Sequence, residues 1–495
     1  MSVELSRAAN RLIAQGRGEE ALRLTEAAVT GSGVTATALN AHAAVLKALD
    51  RHGEAAVFNR RAVEMDPRDR IGWHNLAATL CDLSDYAGAR DAAERAFRLG
   101  LEAPETWLVF GRALQGLAIF DDAERAFREA IRRRPDYPGA HRDLAQLIWM
   151  RTSDADLALA DLTAAANSRP SPELALLLAL VLERVGRSND GWEALRAALG
   201  RWPDDPRLQI AAAQAAADLG QPDEAVRLAE AAWRRFPDHP SVVEGVCTAW
   251  LAAGRARAAY DAAGRRLVVA PQDQIALAFR ATAARILGEP DYERLYDYAA
   301  FVRAAPIAAP AGWLDVKAYL ADLSIALNRL HQLKSHPLEN SLRNGSQTAQ
   351  NLRDSDEPAI RAFFGAIDAP IRAYMAAVGP GADPLRARNT GDYAIRGAWS
   401  VRLRSGGWHV DHIHPQGWLS SAFYVETPAD ALEAPGREGW IRFGRPRHPP
   451  PLEAGLHIRP EPGSLVLFPS YMWHGTVPFT SDETRTTIAF DVIPA

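Results

Sequence analysis

The stretch ETWLVFGRALQGLAIFDDAERAFREAIRRRPD, residues 105–136, reads as a helix, a tight turn and a second helix that ends at a proline. Its apolar residues fall at helical spacing, and Ala123 and Ala130 are small where two helices must approach closely. The same marks recur along the chain. Helix-ending prolines fall at Pro67, Pro135, Pro170, Pro203, Pro237 and Pro271, separated by 68 (two periods), 35, 33, 34 and 34 residues. Asp66 precedes Pro67, and Asp136, Asp204 and Asp238 follow their prolines. Trp73, Trp107 and His141 stand 34 apart, each followed three residues later by Leu76, Phe110 or Leu144, and Ala89 and Ala96 anticipate Ala123 and Ala130. A hairpin of this size hides its apolar face only by stacking on the next, so the period predicts an α-solenoid of about eight units over residues 1–285. The first unit, near residues 5–33, and the last are degenerate, as end units facing solvent tend to be.

With 495 residues, the chain is too long for one ordinary core. It is 48% hydrophobic and 24% charged, with a net charge of −5, which argues against a nucleic-acid or anionic-membrane binder. Lysine occurs only at Lys47, Lys317 and Lys334 beside abundant arginine, a bias that carries no functional meaning by itself. Cys81 and Cys247 are far apart and form neither a disulfide framework nor a zinc motif. The N-terminal MSVELSRAANRLIAQGRGEEAL lacks the apolar core of a signal peptide, and no run of about 18 apolar residues spans a bilayer. These features lead to the expectation of a cytoplasmic protein.

The period fades after residue 285. AAPIAAPAGW (304–313) reads as a joint, and LADLSIALNRLHQL and EPAIRAFFGAIDAPIRAYMAAV read as less regular helices, giving a helical linker and support segment over 286–385. From 386 to 495 the character changes. AWSVRLRS, LSSAFYVET, GWIRFGR, GSLVLFPS and TTIAFDVI are short, β-branched or aromatic, and punctuated by Gly and Pro. Such strands predict an antiparallel double-stranded β-helix, or jelly roll.

The chemistry concentrates in WHVDHIHPQGW, residues 408–418. Read as the end of a strand, it offers two i, i+2 pairs that could converge on a metal: His409 with Asp411, or His412 with His414. His474, just past the strand GSLVLF, is the candidate third ligand. Two strand-borne ligands and a distal histidine fit the facial triad of non-haem Fe(II) oxygenases. A 2-oxo acid would fill two open positions and O2 the third. The far carboxylate of 2-oxoglutarate then needs a cation, and Arg485 in TRTTIAFDV suits it, with Thr487 a supporting hydroxyl on the same face. Tyr424 either bonds the 2-oxo acid or packs in the barrel. Trp408, Trp418 and Trp473 are expected to be wall or core residues.

The helical hairpins resemble the tetratricopeptide repeat. The segments SLRNGSQT (341–348), AWSVRLRSGGWHVDHIHPQGWLSSAFYV (398–425), GWIRFGRP (439–446) and PGSLVLFPSYMWHGTVPF through RTTIAFDV (462–492) resemble the bacterial 2-oxoglutarate/Fe(II)-dependent oxygenases often joined to such repeats, a resemblance covering roughly residues 310–495. It implies Fe(II), 2-oxoglutarate and O2 as cofactor and co-substrates. The family's recurrent His-x-His-Pro favours His412 and His414 with His474 as ligands, whereas His409-Val410-Asp411 satisfies the better-known His-x-Asp pattern literally. Gln347 and Thr348 fall in a family segment, as a structural turn or a substrate contact.

The sequence therefore leads to a multidomain α plus β protein and to a hydroxylase acting on a peptide or protein segment held in the repeat groove, with no nucleic acid or membrane involved. A scaffold or adaptor with a non-catalytic jelly roll is the alternative from another class. A cupin-like zinc or manganese enzyme with an all-histidine site is a third.

Overall fold

Why a polar or aromatic residue recurs six positions after a proline is plain in the computed structural model, which describes residues 2–31 and 33–495. Trp73 donates its indole N–H to the carbonyl of Pro67 at 3.1 Å, the His141 Nε2–H donates to Pro135 at 2.8 Å, and the Gln209 amide donates to Pro203 at 2.7 Å. Each side chain reaches back from the start of its helix to a carbonyl in the preceding turn, satisfying a group that regular structure leaves open. Aspartates cap the same region: Asp69 accepts from Ile71 N–H, Asp205 from Arg207 and Leu208, and Asp273 from Ala276.

The chain forms two compact units, residues 1–148 with 167–169, and residues 149–166 with 170–495. The first holds helical hairpins such as Arg70–Asp82 with Tyr86–Arg98 and Pro104–Gly116 with Phe120–Arg133. Its helices close on small residues: Ala89, Ala93, Ala96, Ala123 and Ala130 are fully buried. A Cβ at Gly111 would stand 2.5 Å from the Phe127 ring, so that crossing depends on glycine.

The second unit continues the hairpins through Pro206–Asp218, Pro222–Arg235, Pro240–Ala252, Ala256–Val269 and Gln274–Leu287, then changes to sheet. Nine strands follow: β1 (Arg303–Pro306), β2 (Leu342–Gln347), β3 (Tyr393–His409), β4 (Leu419–Glu426), β5 (Ile441–Phe443), β6 (Leu456–Ile458), β7 (Ser464–Pro469), β8 (His474–Thr476) and β9 (Arg485–Pro494). They form two antiparallel sheets, a six-stranded one in the order β1-β7-β4-β9-β3-β2 and a three-stranded one in the order β6-β5-β8. Among the described residues, no helix is long and apolar enough to cross a membrane.

Two segments differ from the sequence reading. Residues 286–385, expected as helical support, also supply both edge strands of the large sheet, and the Arg303–Pro306 edge overlaps the expected joint. Pro306 is tolerated there because an edge strand can spare an N–H. Second, strand β3 stops at His409, so His412 and His414 lie beyond it and not on a continuous strand.

The large sheet has two differently employed faces. On β9, Ile488, Phe490 and Val492 are buried in the apolar core, and Phe490 and Phe423 of β4 meet Phe363 of the helix Pro358–Val378, with ring centroids 6.0 and 5.0 Å apart. The alternate β9 residues Arg485, Thr487, Ala489 and Asp491 line a cavity on the other face, as the two-residue period of a strand requires.

The last repeat helices grip the turn that precedes β8. The Tyr296 hydroxyl accepts the Trp473 backbone N–H at 2.9 Å and donates to the Tyr471 carbonyl at 3.2 Å. The Trp473 indole donates to Thr282 Oγ1 in the helix Gln274–Leu287 at 3.1 Å, and the Tyr471 hydroxyl donates to the Leu295 carbonyl at 2.9 Å. All of these are buried. Tyr296→Phe strands the buried Trp473 N–H while keeping the ring, and it is expected to destabilise this unit by about 1–3 kcal/mol in denaturant unfolding. An unchanged midpoint would show that the clamp carries no stability.

Candidate active site

His412 and His474 face each other as a two-bond antiparallel bridge: His412 N–H donates to the His474 carbonyl at 2.9 Å, and His474 N–H returns the bond at 3.0 Å. His414 N–H then donates to the Ser470 carbonyl at 3.0 Å. Residues 410–414 are thus laid against 470–474 by backbone bonds, and the imidazoles of His412, His414 and His474 meet with ligand nitrogens within 4.8 Å of one another.

The orientation of each ring is set from behind. The His412 Nδ1–H donates to the Val410 carbonyl at 2.9 Å, the His474 Nδ1–H to the Met472 carbonyl at 2.9 Å, and the His414 Nδ1–H to the Asp491 carboxylate at 2.6 Å. Carbonyl and carboxylate oxygens only accept, so these contacts put a proton on each Nδ1, and wherever the ring is neutral Nε2 is a bare lone pair. The Nε2 atoms of His412 and His414 stand 3.1 Å apart. A proton on His414 Nε2 makes this contact a hydrogen bond to His412, and a metal ion taking both nitrogens would replace that proton. Cis ligands about 2.1 Å from one octahedral metal are about 3.0 Å apart, so the spacing suits a first-row ion.

The local electrostatics favour neutral rings at two of the three positions. Burial pushes His412 down to about 3, with His414 adding repulsion, and burial together with the neighbouring His412 and His414 holds His474 well below the ordinary histidine range. Burial would lower His414 as well, but the charge and hydrogen bond of Asp491 outweigh it and raise its pKa. Burial works against the Asp491 carboxylate, yet His414 and the Ser420 hydroxyl at 2.9 Å hold it below its usual value. This histidine–carboxylate pair fixes ring orientation and increases ligand basicity, as partners behind metal-binding imidazoles do.

The competing pair is placed otherwise. Both Asp411 oxygens are taken by Arg442, at 2.9 and 2.7 Å, and Arg445 approaches to 3.7 Å. Gly475 makes room for this pair, since a Cβ there would stand 2.7 Å from Asp411 Oδ1. His409 lines the cavity beside His412, but its Nδ1 contacts Ser341 Oγ at 3.0 Å. Neither residue belongs to the three-histidine cluster.

The cluster opens on a cavity of about 430 Å³ lined by Ser341, Gln347, Trp399, Ile413, Arg485 and Thr487, among others. Arg485 is 2% exposed, and no carboxylate among the described residues pairs with it. Its guanidinium lies over the Tyr424 ring at 5.0 Å, while its Nε and the Tyr424 hydroxyl are buried with no well-formed hydrogen bond among the described residues. Burial lowers the Arg485 pKa, with Tyr424 partly offsetting it. A buried, unpaired cation is costly, and an anion entering the cavity would relieve that cost. Tyr424 stands beneath the arginine and is not among the cavity-lining residues. Thr348 is held instead in the sheet, its hydroxyl accepting from the Ser400 N–H at 3.1 Å. Trp418 and Trp473 are buried wall residues that donate to the Leu385 carbonyl and to Thr282.

Three participants escaped the sequence reading. Asp491 was visible in principle, because it shares the β9 face of Arg485 and Thr487 at even spacing. Ser341 and Arg442 carry no local signal; the fold brings them to the site from 71 and 31 residues away from His412 and Asp411 respectively.

Two family models match parts of the chain. Residues 397–491 match the family model described as "Putative 2OG-Fe(II) oxygenase", and residues 186–243 match the tetratricopeptide-repeat model. Protein FlbA of Caulobacter vibrioides is 30% identical over 201 residues, which is 36% of this chain and 34% of FlbA, so the match spans about a third of that relative. A MamA fragment from Desulfovibrio magneticus RS-1 has a TM-score of 0.30 at 18% identity, over 34% of this chain and 97% of the fragment. A MamA double mutant gives 0.30 at 17% identity, over 34% and 93%.

Asp491→Asn keeps the shape of the His414 contact and removes its charge. Cobalt(II) affinity, read by competition with a chelating indicator, is expected to fall 10- to 100-fold with the fold intact by circular dichroism. Unchanged affinity would exclude Asp491 as a support for the metal.

Proposed function

Since the chain joins tetratricopeptide repeats to a C-terminal domain of the 2OG-Fe(II) oxygenase family, we propose that it is an Fe(II)- and 2-oxoglutarate-dependent oxygenase, a hydroxylase of a peptide or protein segment recruited by its repeats. The two antiparallel sheets are read as the halves of an open double-stranded β-helix, with residues 1–285 as the repeat array, 286–385 as support and 386–495 as the oxygenase core. The observation that carries the reading is the pairing, in one cavity, of three convergent imidazoles with a buried arginine that has no anionic partner among the described residues.

His412, His414 and His474 would hold Fe(II), which when bound supplies the redox chemistry that couples oxidative decarboxylation of 2-oxoglutarate to oxidation of the substrate. The residues present fit that ion: three imidazoles offer nitrogen to a borderline metal, and each is fixed by an acceptor on its far side. Asp411 stays with Arg442, so the carboxylate that a common facial triad offers directly is replaced by His414 backed by Asp491. The Arg485 guanidinium binds the far carboxylate of 2-oxoglutarate as a planar fork, and Thr487, two residues along the same strand face, adds a hydroxyl. The Tyr424 ring supports the guanidinium from below. A dicarboxylate suits this arrangement because one end neutralises the metal and the other the arginine.

The repeats enter this account in two ways. Their last helices clamp the turn that carries His474, so the metal-binding geometry depends on the array. Their stacked surface is also the kind that holds peptides. Trp399, Val401, Ile413 and Ile441 give the cavity apolar walls that shield the reacting centre from water.

Anaerobic addition of Fe(II) and 2-oxoglutarate is expected to produce the visible charge-transfer band of the chelate. His474→Ala should abolish the band with loss of metal, whereas Arg485→Gln should retain metal and weaken 2-oxoglutarate at least tenfold. No band in the intact protein, together with undiminished metal binding by His474→Ala, would overturn the reading.

A further inference from the structure

The segment 339–348, which contributes an edge strand, also delivers a hydroxyl to the centre of the site. Ser341 lies immediately before β2, whose Leu342 pairs with His409 of β3, and the Ser341 carbonyl accepts the Val410 N–H at 2.9 Å. Its side chain is therefore fixed at the point where β3 ends and the histidine segment begins. Ser341 Oγ lies 3.0 Å from His409 Nδ1 and 3.2 Å from His412 Nε2. His412 Nε2 is a bare lone pair, because its Nδ1–H is committed to Val410. A hydroxyl carries one proton, so the consistent chain runs His409 Nδ1–H to Ser341 Oγ, and Ser341 O–H to His412 Nε2.

Metal binding at His412 Nε2 would remove the acceptor for the Ser341 proton. The serine stays anchored through its backbone, and His409 continues to donate to its oxygen. The hydroxyl proton must then turn toward another acceptor in the cavity beside His412. Arg485 lines the same cavity with a cation for an anion, so a molecule that meets both has one charged end at Arg485 and oxygen acceptors near His412. Among the described residues, the cavity wall next to Ser341 offers the Glu339 carboxylate and the amides of Asn340 and Gln347, with Asn340 Nδ2 already donating to Gln347 Oε1 at 2.6 Å.

We infer that Ser341, its hydroxyl oriented by His409, is a co-substrate-binding residue that donates a hydrogen bond to the 2-oxo-acid end of 2-oxoglutarate, with Arg485 holding the opposite carboxylate. This rests on the oxygenase reading above. It gives His409 a positioning role, and it accounts for a histidine that lines the site without joining the metal cluster. The hydroxyl withdraws electron density from the keto-acid, so its presence lowers the energy of the metal-to-ligand transition and tightens the complex.

The test uses the full-length protein under anaerobic conditions, with Fe(II) titrated first and 2-oxoglutarate second. Ser341→Ala is expected to bind Fe(II) within about twofold of the parent, to bind 2-oxoglutarate about tenfold more weakly, and to shift the visible band to higher energy. Ser341→Thr keeps a hydroxyl and should restore the parental band. His409→Phe should reproduce part of the shift alone and add nothing in the Ser341→Ala background, since the two act through one bond. An unshifted band with unchanged 2-oxoglutarate affinity in Ser341→Ala overturns the inference, as does loss of Fe(II) itself, which would make Ser341 part of the metal site. Absence of the band in the parent protein sinks the oxygenase reading and this inference with it, so the two failures are separable.

Discussion

Each of the three clustered imidazoles is held by its Nδ1, and that commitment turns three Nε2 atoms toward one point. The acceptors behind them are two backbone carbonyls and one carboxylate, so none of the rings can exchange tautomers without leaving a buried oxygen unsatisfied. Much of the second unit serves this constraint. The backbone bridge between His412 and His474 fixes the distance, Ser470 fixes His414, and β9 presents Asp491 from one side while presenting Arg485 to the same cavity. The repeat helices contribute through Tyr296 and Thr282, which hold the turn leading into His474.

The same constraint explains why the site contains a carboxylate that is not in its cluster. Asp411 would be a good ligand by type, but Arg442 binds both of its oxygens and buries the pair at 11% and 6% side-chain exposure. Breaking such a pair to free the carboxylate would leave an uncompensated guanidinium, a cost of about 3–5 kcal/mol. A metal seated on His412, His414 and His474 avoids that cost. In the proposed metal site, the negative charge that a facial triad usually supplies directly would come at one remove, from Asp491 through His414.

What was legible in the sequence follows the range of the interactions involved. The solenoid could be read because its marks are local and repeated: proline, capping aspartate and the side chain that bonds the proline carbonyl all lie within a few residues of each other. The change to antiparallel strands after the repeats was visible in composition and turn residues. His412, His414 and His474, as well as Arg485, could be named as candidates from residue type, and the structure brings all four to one cavity. The choice between the two i, i+2 pairs was not local. It depends on the end of β3 at His409, on a bridge to residues about 60 positions away, and on Arg442, none of which leaves a pattern in HVDHIH. The edge strands β1 and β2 were hidden for a similar reason. AAPI and SLRNGSQ have little β character of their own and become strands because β7 and β3 offer open edges.

Crystals of the protein loaded with manganese or iron, measured by anomalous scattering at the metal edge, test the central claim most directly. The account predicts a single peak about 2.1–2.2 Å from one nitrogen each of His412, His414 and His474, with Asp411 still paired to Arg442. A peak coordinated by His409 and Asp411, with Arg442 displaced, would contradict it.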